Sequence, residues 1–114
     1  MYRLRKANKY RNVSTIYNGI QYHSKFEASY AQELDIRLKA KEIQSWERQV
    51  KIPLDINGYH IANYYIDFRI DHNDGSEEFV EVKGFETDVW KIKWAIFEAL
   101  YSEIPNVKLT VVKR

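Results

Sequence analysis

Three dipeptides constrain this chain more than anything else in it: Asn18-Gly19, Asn57-Gly58 and Asp74-Gly75, each set between stretches of β-forming residues. Tight two-residue turns need positive φ, which Asn, Asp and Gly tolerate, so each dipeptide is expected to join two antiparallel strands. The first hairpin falls within 14–23. Further strands are predicted at 45–52 with Pro53 as punctuation, from about 59 to 71, at 78–83 with Gly84 at its end, and at 107–112.

Two helical stretches interrupt this β pattern. Ser24-Lys25-Phe26-Glu27 has the spacing of a capping box, and Phe26, Tyr30, Leu34 and Leu38 then recur every four residues, predicting a helix to about Ala40. Thr87 or Asp88 can cap a second helix that runs to about Glu103, before Pro105-Asn106 breaks it. The second helix carries two apolar stripes. Val89, Ile92, Ile96, Ala99 and Leu100 form one; Trp90, Trp94, Phe97 and Tyr101 form the other. A helix lying on a sheet needs only one. The surplus aromatic stripe is therefore read as either the completion of a small core or the seam of a homodimer.

At 114 residues the chain is sized for one domain. It has no cysteine, which excludes a disulfide scaffold, an iron–sulfur cluster and a thiolate zinc site. No apolar run reaches the ~18 residues of a membrane span and no signal-peptide core follows the basic start, so an intracellular, cytoplasmic protein with no membrane partner is expected. His23, His60 and His72 lack metal-ligand spacing to one another. The formal net charge is only +2, but it is unevenly placed. Residues 1–11 hold Arg3, Arg5, Lys6, Lys9 and Arg11 and no acid, while all 16 acidic residues lie beyond them. A basic arm on a mildly acidic body is suited to a polyanion, with a solvated tail as the alternative.

The residues able to do chemistry fall on two neighbouring strands. In Asn63-Tyr64-Tyr65-Ile66-Asp67-Phe68-Arg69-Ile70 the even positions are mostly apolar, and Asp67 takes the opposite face with Tyr65 and Arg69. In Phe79-Val80-Glu81-Val82-Lys83, Val80 and Val82 face the core and Glu81 and Lys83 share the other side. Counting outward from Asp74-Gly75, Asp67 and Glu81 reach similar depths. Two carboxylates and an ammonium on one face suit a Mg²⁺ site, since that ion takes one or two protein carboxylates and keeps waters. They equally suit an ordinary cross-strand ion pair.

The order of these features resembles the PD-(D/E)XK nuclease superfamily, and in particular the short phage-encoded nucleases of its Holliday-junction-resolvase branch. The resemblance runs from Ser24 onward. It rests on the helix glutamate of Ser24-Lys25-Phe26-Glu27-Ala28, on Ile66-Asp67 where the family writes Pro-Asp, and on Glu81-Val82-Lys83. It implies a mixed α/β, restriction-endonuclease-like core, with a central mixed sheet flanked by two helices in the order α-β-β-β-α-β, here behind an N-terminal β-hairpin. Residues 1–11 would form the basic arm and 12–114 the nuclease domain.

The same resemblance implies that Asp67 and Glu81, helped by the Val82 carbonyl, bind Mg²⁺ or Mn²⁺. Glu27 would join them directly or through water, and Lys83 would position or activate the attacking water. Gln49 stands where related nucleases sometimes carry a helper. Arg3, Arg5, Lys6, Lys9, Arg11, Lys91 and Lys93 are the expected DNA contacts. The expected activity is endonucleolytic phosphodiester hydrolysis, on branched DNA and by a homodimer. A structure-tolerant nuclease of linear or single-stranded DNA, or a catalytically idle DNA-binding module, are the competing expectations.

Overall fold

The computed structural model describes residues 14–113. The elements follow in the order β1 (Thr15–Tyr17), β2 (Ile20–Tyr22), α1 (Lys25–Lys39), β3 (Ile43–Ile56), β4 (Tyr59–His72), β5 (Glu77–Lys83), α2 (Asp88–Tyr101) and β6 (Val107–Lys113). β1 and β2 form a separate hairpin, and the remaining strands make a mixed sheet in the order β3-β4-β5-β6. Only the β5–β6 pair is parallel, because α2 intervenes as the crossover. This is the mixed α+β architecture, with two helices, a four-stranded sheet and an N-terminal hairpin, that the sequence predicts. No helix among the described residues is long and apolar enough to cross a membrane.

The turns follow their chemistry, with one variation. Asn18 and Gly19 at φ 53° and 78°, and Asn57 and Gly58 at 52° and 83°, give the paired positive values of two-residue hairpin turns. At the third turn only Gly75 has positive φ, and Asp74 instead accepts hydrogen bonds from the backbone N–H and the hydroxyl of Ser76 at 2.9 and 2.6 Å. That turn is longer, with the glycine in the left-handed place after an Asx-type bond. β3 also outruns its expected end. Pro53 does not stop it, because β3 is an edge strand and a proline there sacrifices no ladder hydrogen bond on its open side.

Two hydrophobic cores lie on opposite sides of β5. Val80 and Val82 pack with Phe68, Ile70, Ala28, Ala31, Leu34 and Ile43 beneath α1, whereas Phe79 packs with Ile52, Leu54, Tyr64, Ile66 and Phe97 beneath α2. The even-numbered residues of β4 from Tyr64 to Ile70 are buried, but they do not form one face. Phe68 and Ile70 belong to the α1 core, Tyr64 and Ile66 to the α2 core. On β3 the same division separates Trp46 from Val50, Ile52 and Leu54. The change falls at Gln49 and Asp67, where Gln49 adopts a left-handed φ of 51° and coils the β3–β4 ribbon from one layer to the other.

α2 decides between its two stripes. Trp90, Trp94, Phe97 and Tyr101 all turn to the sheet, with Phe97 5.5 Å from Tyr64 and 5.4 Å from Phe79 between ring centres. Edge-to-face pairing of this kind adds to area burial. The aromatic stripe therefore completes the core, whereas the aliphatic stripe is left largely outside it, with Val89 and Ile92 63% and 62% exposed and Ile96 packing at the core's edge.

α1 is tied to its neighbours by Asp35, whose carboxylate accepts from the Tyr17 hydroxyl at 2.6 Å and from Trp46 Nε1 at 3.0 Å. One side chain thus links the β1–β2 hairpin, α1 and β3, and fixes how the C-terminal half of α1 meets the hairpin and the sheet. Asp35→Ala leaves a hydroxyl and an indole N–H without their partner and is expected to cost about 2 kcal/mol in urea unfolding, with Asp35→Asn costing less because it keeps one acceptor.

Candidate metal centre

β3, β4 and β5 lose their regularity at one level. β4 and β5 pair from Asp71↔Glu77 to Phe68↔Val80 and no further, so the step that would pair Asp67 with Glu81 is missing from the ladder. Side chains replace it. The Asp67 backbone N–H donates to Glu81 Oε1 at 3.3 Å, and Asp67 Oδ2 accepts from the Val82 backbone N–H at 2.9 Å. On the other flank, Gln49 Nε2 donates to Asp67 Oδ1 at 3.4 Å. Gln49 can do this because its left-handed backbone sits beside Asp67.

Glu27 reaches the same point from α1. Ser24 caps the helix by accepting from the Glu27 backbone N–H at 3.1 Å, and Glu27 Oε1 accepts from the His23 backbone N–H at 3.0 Å. This is a variant of the capping box in which the glutamate reaches back to the N–H of the residue before the cap. The side chain is buried, and it lines a cavity of about 270 Å³ with His23, Ser24, Asp67, Val82, Lys83, Gly84 and Phe85. Capping and membership of the site are compatible roles for one carboxylate, since each oxygen has two acceptor positions.

Lys83 completes the group. Its Nζ lies 3.2 Å from Glu81 Oε2 and 4.8 Å from the centre of the Trp90 ring. Trp90 in turn donates its indole N–H to the Tyr64 hydroxyl at 3.0 Å, and Tyr64 lies near enough to Glu81 to favour its ionised form. Tyr64 and Trp90 line the site although sequence reasoning does not single them out, Tyr64 being one of the mostly apolar strand positions and Trp90 part of a stripe read as core or dimer seam. The available signal is positional: Tyr64 lies three residues before Asp67, and Trp90 falls in the first turn of the helix that follows the Glu81-Val82-Lys83 strand.

The electrostatics are those of crowded, buried acid groups. Burial, then the charges of Glu81 and Glu27 and a hydrogen bond to Glu27, push the Asp67 carboxyl up to about 8, against the opposing pull of the Val82 N–H. Burial also raises Glu81, opposed chiefly by the Lys83 ammonium. Desolvation raises Tyr64 well above the ordinary phenol range, helped by the negative charge of Glu81. Three carboxylates and one ammonium leave an excess of negative charge that only a proton or a cation can relieve.

A hard divalent ion fits this donor set. Asp67 and Glu81 offer carboxylate oxygens, and each Asp67 oxygen retains acceptor capacity beyond its single bond to Gln49 or Val82. Among the described residues no three His, Cys, Asp or Glu side chains are already drawn into a ligand cage. The fit therefore rests on the two carboxylates alone, and Mg²⁺ is an ion that takes one or two protein carboxylates and keeps its waters.

The other sequence-predicted residues divide. Lys93 lines a second cavity with Gln49, Glu81, Lys83 and Trp90, and its Nζ donates to the Asn63 carbonyl at 3.2 Å. Lys91 is exposed and lines neither cavity. Arg3, Arg5, Lys6, Lys9 and Arg11 lie outside the described residues.

The chain is thus a mixed α+β domain built around a buried carboxylate–lysine centre at a break in its sheet. It belongs to the family described as protein of unknown function DUF1064, which it matches over residues 7–114. No curated protein matches it.

The raised Asp67 carboxyl has a consequence for stability. Between the ordinary carboxyl value and about 8 the folded chain holds a proton that the unfolded chain has released. Without divalent ions, stability is therefore full at about pH 4 and falls as pH rises through about 8. Thermal melts in EDTA should show this decline, Asp67→Asn should flatten it and raise Tm at pH 8, and Mg²⁺ should raise the wild-type Tm more at pH 8 than at pH 6.

Proposed function

We propose that this chain is a metal-dependent DNA endonuclease that hydrolyses phosphodiester bonds. The observation that carries the reading is the convergence of Asp67, Glu81 and Lys83 where β4 and β5 part, with Glu27 arriving from α1. That set joins oxygen ligands for Mg²⁺ or Mn²⁺ to a cation that can face a phosphate, and it also carries the resemblance to the PD-(D/E)XK nucleases.

Asp67 and Glu81 would hold the ion, with the Val82 carbonyl and Glu27 as further ligands, directly or through water. When bound, the ion polarises the phosphodiester and acidifies a coordinated water. Lys83 lies beside Glu81 and can orient the attacking water or offset charge on the phosphoryl oxygens. The water oxygen bonds to phosphorus as the bond to the 3′ oxygen breaks. The departing oxygen takes a proton, leaving a 5′-phosphate and a 3′-hydroxyl. Glu27 and Gln49 act on Asp67, Glu27 from α1 and Gln49 by its amide.

The favoured substrate is branched DNA, cut symmetrically by a homodimer. The exposed aliphatic stripe of α2 supports an isologous contact, since Ile92 and Leu100 are exposed on one side of the helix. The basic arm would grip phosphates and make binding steeply salt-dependent, and Lys91 and Lys93 would add contacts nearer the centre.

A cleavage assay with Mg²⁺ on a labelled four-way junction, a matched linear duplex and single-stranded DNA tests the reading. Paired nicks confined to the junction and lost in EDTA are the expected result. Equal cutting of all three substrates overturns junction preference, and no cutting with Mg²⁺ or Mn²⁺ overturns the nuclease reading. Lys83→Ala should keep the fold and DNA binding while losing roughly 10²-fold or more in rate. Removal of residues 1–11 should weaken DNA binding and flatten its dependence on salt; an unchanged slope would remove the arm from the interface.

A further inference from the structure

A cavity of about 310 Å³ opens beside the carboxylate centre and shares His23, Asp67 and Lys83 with it. Its walls differ in chemistry from those of its neighbour. Tyr65 and Val89 contribute apolar surface, and Lys83, Lys93, Thr87 and Gln49 contribute polar groups. We propose that this cleft receives one unstacked nucleobase of a DNA strand whose adjoining phosphate lies at the carboxylate centre. The proposal rests on the nuclease reading and names the form of DNA that the site takes.

Tyr65 carries the argument. It is in the middle of β4, on the same face as Asp67 and two residues from it, about 7 Å along the strand. Its ring is nonetheless 52% exposed, and among the described residues it has no ring contact, hydrogen bond or ion pair. A large aromatic with no packing role, beside a phosphodiester-cleaving centre, is the stacking platform that proteins present to single-stranded nucleic acid. Trp90 does not compete for that role. One side of its ring meets Lys83 Nζ at 4.8 Å, and the ring stacks on Trp94 at 5.9 Å between centres, so it forms part of the cleft wall.

The rest of the cleft matches a nucleotide. Val89, also exposed, supplies aliphatic surface in the first turn of α2. Lys93 is held by the Asn63 carbonyl and keeps two further N–H groups for an anion. The volume lies at the lower end of the roughly 300–1,000 Å³ found for small-ligand sites. In an intact duplex the bases are stacked and paired, so only an unpaired or extruded nucleotide can place its base against Tyr65.

The test is fluorescence titration of a short single-stranded oligonucleotide carrying one 2-aminopurine, in EDTA and in Ca²⁺, with full-length wild type, Tyr65→Phe and Tyr65→Ala. Stacking on Tyr65 should quench the probe, and the same base in a fully paired duplex should not respond. Tyr65→Phe should stay within about twofold of wild type, whereas Tyr65→Ala should bind the single strand about tenfold more weakly. Circular dichroism checks that Tyr65→Ala is folded. Should it fail to fold, Tyr65→Ser and Tyr65→Gln take its place. Equal affinity of wild type and Tyr65→Ala, or no quenching by wild type in either buffer, overturns the proposal. The outcome is separable from that of the cleavage assay. Quenching without cleavage keeps the cleft and discards the nuclease, and cleavage without a Tyr65 effect does the reverse.

Discussion

The exchange between Asp67 and the β5 strand is the interaction on which this structure depends. Where a continuous sheet would pair backbone with backbone, the Asp67 N–H finds the Glu81 side chain and the Val82 N–H finds the Asp67 side chain. Buried amides must be satisfied, and here two acidic side chains meet part of that requirement. The gap in the ladder thus persists without orphaned donors, and it is this gap that opens the centre of the sheet to the N-terminus of α1. Fold and site are the same set of bonds, so a substitution at Asp67 acts on both.

That arrangement has an electrostatic cost which the surrounding residues offset in part. The Val82 N–H, the Tyr64 hydroxyl and the Lys83 ammonium each favour an ionised neighbour, while burial and mutual repulsion favour the protonated form. Burial, reinforced by repulsion, wins at Asp67. On the proposed metal reading, a cation bound here would displace that proton, so ion binding would be coupled to proton release. Trp90 and Tyr64 matter here because they brace Lys83 and Glu81 from a helix and a strand that belong to the α2 core. The precision of the centre is therefore set by aromatic packing several residues away from it.

Much of this was legible in the residues themselves. Asn-Gly turns and the Ser24 cap carry their geometry in local chemistry, and alternation placed Asp67, Glu81 and Lys83 on a common side. The division of β4 between two cores was not legible. A period of two reports which residues are buried, not which layer buries them, and the ribbon changes layers at Gln49, a residue with no composition cue for a left-handed backbone. The two stripes of α2 were equally ambiguous, because both have helical spacing. What selects the aromatic stripe is the ring-lined surface of Tyr64 and Phe79 opposite it, a tertiary property. Tyr64 and Trp90 are likewise not singled out by the sequence, because in both of them packing and a place beside the carboxylates coincide.

The outer edge of the sheet has a consequence of its own. β3 is an edge strand of fourteen residues, long enough to template the addition of a foreign strand. Its middle is unsuited to that. Gln49 is twisted out of extended conformation, Lys51 is charged and exposed, and Pro53 lacks a donor, all within five positions. An incoming strand meets no regular row of hydrogen-bonding groups there. The kink that aims an amide at Asp67 thereby also guards a vulnerable border against self-association by strand pairing, leaving side-chain surfaces as the route by which other molecules approach.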